Sequence, residues 1–194
     1  MFHDLDSTVA ELLMRDLPKS LVQQVSVTFA TPDGQFPPTT VTLPAIDLFL
    51  YEISENRDLR TQEMVTERAS DGRVVRTPPP IRVDCHYLVT AWAKGGVQRP
   101  EEDEHRMLGE VMRVLLRHRE FPKQVLRGAL ESQPFPVRAR VSPPSNQQSR
   151  GDFWQALGGK PKAAFHYTVT IAMDVNEPDD SAEIAFISQA GVAP

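Results

Sequence analysis

The sequence predicts a single α+β domain, and three observations carry that reading. Its 194 residues suffice for one sizeable core but are short for two full domains. Two stretches, about 6–16 and 101–118, repeat apolar residues at helical spacing, while several others alternate or run apolar as strands do. Hydrophobic residues at 40% and charged residues at 24% are those of an ordinary globular chain.

In chain order, Leu5, Val9, Leu12 and Leu13 predict the first helix over 6–16, with Thr8 and Glu11 as a capping box and Pro18 as its limit. Residues 21–30 alternate at Val25, Val27 and Phe29 and read as a half-buried strand. TPDGQFPP is a turn-rich link, and 40–51 is a strand interrupted at Pro44, which a central ladder position resists. From 52 to 80 the chain is polar. The Asp71-Gly72 turn signal, flanked by Met64, Val65, Val74 and Val75, predicts a projecting hairpin arm over about 54–78. IRVDCHYLVTAWA is the central-strand candidate, apolar on both faces toward its end. Met107, Leu108, Val111, Met112 and Leu115 form the stripe of the second main helix, with acids at its start and arginines at its end. A short strand over 136–141 precedes the loop SPPSNQQSRG. Phe153 to Leu157 form a short helix and 163–175 the last strand. Seventeen prolines make the connections stiff.

The formal charge is −5, and five acids (Asp174, Glu177, Asp179, Asp180, Glu183) fall together with no base among them. The rest of the chain balances at 21 basic and 21 acidic residues. That distribution argues against a general nucleic-acid binder, which needs a surplus of phosphate-neutralising cations on one face. The division expected is a domain over 1–175 and an acidic tail over 176–194. One cysteine, Cys85, excludes an intramolecular disulfide and leaves a thiolate zinc site short of ligands. The first residues carry acids where a signal peptide needs positive charge, and no run approaches the ~20 apolar residues of a membrane span. A cytosolic protein without direct membrane insertion is expected, at least when made.

Motifs for chemistry are few. Gly158-Gly159-Lys160 is not a phosphate loop: that needs GxxxxGK[ST] between a strand and a helix, and here a helix ends at the glycines before Pro161. Asp84 and His86 lie two apart on a strand and share a face, where His166 of the last strand, with His105, would complete a metal site for a small metal-dependent enzyme. No HExxH-like spacing supports it. Cys85 points to the opposite face in an apolar strand, and no GxSxG elbow exists. Trp92, Phe153, Trp154 and Tyr167 read as core rather than a base-stacking platform. No cofactor is expected.

Four stretches in order carry a family resemblance: IDLFLYEISENRDLR, PPPIRVDCHYLVTAWA, EHRMLGEVMRVL and FWQALGGKPKAAFHYTVT. Together they resemble the cap, or tail-terminator, proteins of contractile injection systems, the Pvc-sixteen-type N-terminal domain family known from the antifeeding prophage and the Photorhabdus virulence cassettes. The resemblance implies a phage tail-terminator-like domain with a mixed, mostly antiparallel sheet flanked by two main helices. It implies a non-enzymatic role as a six-fold ring of identical subunits on the end of an inner tube and sheath, within a particle that is released from the cell. Asn56, Arg60 and the segment from Trp154 to Tyr167 match positions of the common domain. Where some relatives continue into a further C-terminal domain, this chain has its acidic tail.

The expected interaction residues follow from that role. Asn56, Arg57, Arg60, Glu67, Arg68, Arg73 and Arg76 belong to the arm, assigned to neighbouring subunits or the sheath protein. Gln147 and Arg150 belong to the loop 142–150, assigned to the inner tube protein, and Lys160 and Lys162 to a partner subunit. An adaptor reaching another cell structure through the acidic tail is the remaining alternative.

Overall fold

The computed structural model describes residues 1–61, 65–68, 74–142 and 150–175, with side chains described outside 62–77 and 142–150. A five-stranded sheet in the order β1-β2-β5-β7-β6 organises the chain, and β3 and β4 form a separate two-stranded sheet. The strands are β1 (Ser26–Thr28), β2 (Ala45–Glu55), β3 (Val65–Arg68), β4 (Val74–Thr77), β5 (Ile81–Trp92), β6 (Arg138–Ser142) and β7 (Ala164–Met173). The helices are α1 (Phe2–Asp16), α2 (Lys19–Val22), α3 (Pro100–Arg117) and α4 (Arg150–Ala156). Among the described residues only β1 against β2 is parallel, and the other strand pairs are antiparallel. The sheet is therefore mixed and mostly antiparallel, with β5 at its centre as its apolar run predicts.

Helix α1 starts at Phe2, ahead of the expected 6, and the capping box does not form. Thr8 lies fully buried inside the helix, where its Oγ1 accepts the Arg127 amide at 3.0 Å. The stripe Leu5, Val9, Leu12 and Leu13 is fully buried. Of 21–30 only Ser26–Thr28 is strand: Pro18 opens the helical turn α2, whose last carbonyls accept amides as late as Val25. Strand β2 begins after Pro44 rather than at 40, and the Pro44 carbonyl accepts the Ser26 amide at 3.0 Å. The hairpin β3–β4 pairs Val65 with Thr77 and Arg68 with Val74; its Asp71-Gly72 turn lies outside the described residues.

Helix α3 buries Met107, Leu108, Val111, Val114 and Leu115, while Met112 is only half-buried. Val114 rather than Met112 completes the stripe, because positions 107, 111 and 114 recur on one side of a 3.6-residue helix. Strand β6 starts at Arg138, after Pro136, and residues 119–121 run along its outer edge: the Ala139 amide donates to Arg119 O and the Phe121 amide to Val137 O, both at 2.9 Å. The helix α4 ends at the two glycines as expected. Gly158 has φ 68°, a left-handed conformation suited to glycine, and a Cβ on Gly34 would sit 2.6 Å from the Gly158 carbonyl.

The register separates two faces. Residues 83, 85, 87, 89 and 91 of β5 join the α1 and α3 stripes in one core, which includes Tyr167, Val169 and Ile171 of β7. The alternate β5 residues, from Arg82 to Trp92, face away from the two main helices.

Candidate functional site

This second face is polar and held together across strands. At the end nearest the arm, the Asp84 carboxylate is central. Its Oδ1 accepts Thr170 Oγ1 at 2.6 Å, its Oδ2 accepts the Arg140 guanidinium at 3.1 Å, and Asn56 Nδ2 lies 3.1 Å from both oxygens. Burial raises the acid's pKa, but these three hydrogen bonds and the Arg140 charge outweigh it and hold Asp84 below the ordinary carboxylate value. Two residues along, His86 bonds Thr168 through Nδ1 at 3.0 Å and Ser54 through Nε2 at 3.3 Å. Further on, His166 Nδ1 meets the Tyr51 hydroxyl at 2.9 Å, and Tyr51 sets its ring edge-on to Phe153 of α4.

The opposite end of the face is closed by aromatic stacking. Phe36 stacks on Trp92 with ring centres 4.1 Å apart, and the Lys162 ammonium lies 3.5 Å from the Trp92 ring centre. That ammonium donates to Ala91 O at 2.7 Å and to Glu104 of α3 at 3.0 Å. Beneath it, Asp47 is fully buried beside Thr90, and burial drives its pKa up to about 8 against the hydrogen bonds from Ala30 and Thr90 and the charge of Lys162.

The expected residues divide accordingly. Asn56 and Arg60 flank the turn Arg57–Leu59 that leads from β2 toward the arm. Asn56 turns inward: besides Asp84, its Oδ1 accepts the Leu59 amide at 3.0 Å. Arg57 and Arg60 are exposed, Arg60 within 3.7 Å of Glu55. Glu67 and Arg68 lie on β3, Arg76 on β4 and Arg150 at the start of α4. Arg73 and Gln147 lie outside the described residues, as does the tail 176–194. Lys160 is exposed, but Lys162 directs its charge into the fold, contrary to the outward orientation expected, because Trp92, Glu104 and the Ala91 carbonyl surround it.

The metal constellation is pulled apart by its partners. Asp84, His86 and His166 do share a face, yet each is engaged by a different protein group, and His105 is exposed on α3, across the sheet. No three His, Cys, Asp or Glu among the described residues are placed to hold a metal ion. Burial pushes the Cys85 thiol up to about 12, with the Asp84 and Asp6 charges adding to it, so it is not a nucleophile at neutral pH. Trp154 and Tyr167 are buried, as core residues are. Sequence reasoning passed over Arg140, Asp47 and Glu104. The alternation Arg138-Ala139-Arg140 was the signal for the first, since it sets both arginines on Asp84's face.

A family model described as Pvc16 N-terminal domain matches residues 4–184. The chain belongs to the Pvc16 N-terminal domain family. Two solved structures share this family fold. One is the sheath/tube terminator of PVC, an extracellular contractile injection system, in its extended state, with TM-score 0.68 and 23% identity over all of this chain and 64% of that one. The other is the tube-terminating cap of the anti-feeding prophage, with TM-score 0.65 and 24% identity over all of this chain and 62% of that one. This Pvc16 N-terminal domain thus spans less than two thirds of the length of either structure. No curated protein matches the chain. Among its described residues no helix is long and apolar enough to cross a membrane.

Proposed function

We propose that this protein is a structural terminator of a phage-tail-like contractile particle, closing as a ring of six identical subunits on the end of the inner tube and holding the last sheath layer. The observation that carries the reading is the family match over residues 4–184, supported by likeness to two terminators over the whole chain. A terminator must bind the growing end about as well as another ring would, while offering the next ring no equivalent surface. Head-to-tail contacts in a closed ring occupy the lateral edges of every subunit, and axial growth stops because the ring's outward face differs from its tube-facing one.

The hairpin β3–β4 suits such contacts. It is not joined to the main sheet, so among the described residues its two outer edges carry backbone groups without a strand partner. Those edges, with the exposed Arg57 and Arg60 at the arm base, form the surface for a neighbouring subunit or the sheath. The loop 142–150, outside the described residues over 143–149, is assigned to the tube, and Lys160 to a partner subunit. The role needs no catalytic residue, metal or cofactor. Deleting Ala69 to Arg73, the residues between β3 and β4 in the chain, tests the arm assignment: the folded variant is expected to cap particles poorly. Particles of normal number and length from that variant would remove the arm from the contact surface.

A further inference from the structure

Asp84 connects two parts of the molecule that the sheet alone keeps apart. Asn56 stands at the exit of β2, where its amide donates to Arg82 O at 2.9 Å and its side chain both grips Asp84 and caps the turn to the arm. On the far side of β5 and β7, Arg140 of β6 holds the same carboxylate from the edge of the sheet. Arg140 is 56% exposed, whereas Asp84 is buried. One carboxylate therefore receives the arm base on one side and a surface guanidinium on the other.

We propose that Asp84 is a positioning residue that couples Arg140, at the β6 edge, to the arm base at Asn56. While Arg140 donates to Asp84, the carboxylate stays charged and fixed, and Asn56 is held in the orientation that caps Leu59. A partner carboxylate that draws the exposed guanidinium away leaves Asp84 with neutral donors only, weakens its hold on Asn56 and loosens the turn. Contact at the sheet edge is in this way felt at the arm. The functional meaning rests on the arm's role proposed above, but the coupling itself is a property of the isolated chain.

The Leu59 amide is the probe, because its hydrogen-bond acceptor is the Asn56 side chain. Hydrogen exchange would be followed at Leu59 and at the core amides of Tyr87 and Val169 in the full chain, in Arg140→Ala and in Arg140→Lys. Truncating a side chain more than half exposed spares the core. Exchange at Leu59 is expected to rise about tenfold in Arg140→Ala, the size set by losing one charge-assisted hydrogen bond to a buried carboxylate. Arg140→Lys should restore part of the protection, and the core amides should not change. Unaltered exchange at Leu59, or an equal rise at Tyr87 and Val169, would overturn the coupling. If the coupling holds while deletion of Ala69 to Arg73 leaves capping normal, the arm's assignment fails and the coupling stands.

Discussion

Asp47 is a single buried acid whose titration is expected to make this fold sensitive to alkali. Its side chain is fully buried and one of its oxygens, Oδ1, has no hydrogen-bond partner, so desolvation dominates and the folded pKa rises from 3.8 to about 8. A raised carboxyl pKa means that the folded chain takes up a proton that the unfolded chain has released. Asp47's contribution to stability is therefore full below 3.8 and is lost progressively as the pH climbs through about 8. Asp47→Asn keeps the shape and removes the titration. Urea midpoints at pH 5 and pH 8 should differ less in this variant, which should gain on the order of a few kcal/mol over the parent at the higher pH. An identical pH slope in both proteins would show that Asp47 does not titrate as its burial requires. No pattern in the sequence marks this residue: Asp47 sits in an apolar run, and only its burial, its register beside Thr90 and the nearby charge of Lys162 make it distinctive.

At the scale of elements, the long amphipathic and apolar segments were legible and their ends were not. Helix α3 and strands β5 and β7 lie where periodicity puts them, because α3 buries a long stripe and a one-residue shift of either strand would turn its apolar core residues onto the polar, cross-tied face. The short strand β1 and the turn α2 were misread as one strand, since Val25, Val27 and Phe29 alternate while Pro18 locally favours a helical turn. Adjacent leucines test the placement of α3. Leu115 is 2% exposed and Leu116 56% exposed. Thermal unfolding should show Leu115→Ala costing about 2–5 kcal/mol, and Leu116→Ala changing stability by less than ~0.5 kcal/mol. Equal losses would mean that α3 is rotated from this orientation. The sheet edge was not legible either. Gln133 brackets Ala172 of β7, its Nε2 donating to the carbonyl at 2.7 Å and its Oε1 accepting the amide at 2.6 Å, so a side-chain amide stands where a further strand would pair. With residues 119–121 lining β6, the main sheet is guarded at that edge.

For the whole molecule, the division of labour explains why motif searching was empty and resemblance was informative. Asp84, His86 and His166 have the residue types of a reactive centre, but their neighbours Asn56, Ser54, Thr168, Thr170 and Tyr51 engage them as cross-strand ties. From sequence alone those neighbours are unremarkable polar residues scattered over more than a hundred positions. The order of four matched stretches carried the family, and their geometry then gave the ties their meaning: they bind neighbouring strands of one sheet together across its polar face. The central claim is that this protein terminates a contractile particle, and the most direct measurement is electron microscopy of particles purified from cells lacking the gene. The account predicts few complete particles, or tubes and sheaths whose lengths spread widely, with normal particles restored when the gene is returned. Normal numbers of particles with a sharp length distribution in its absence would contradict it.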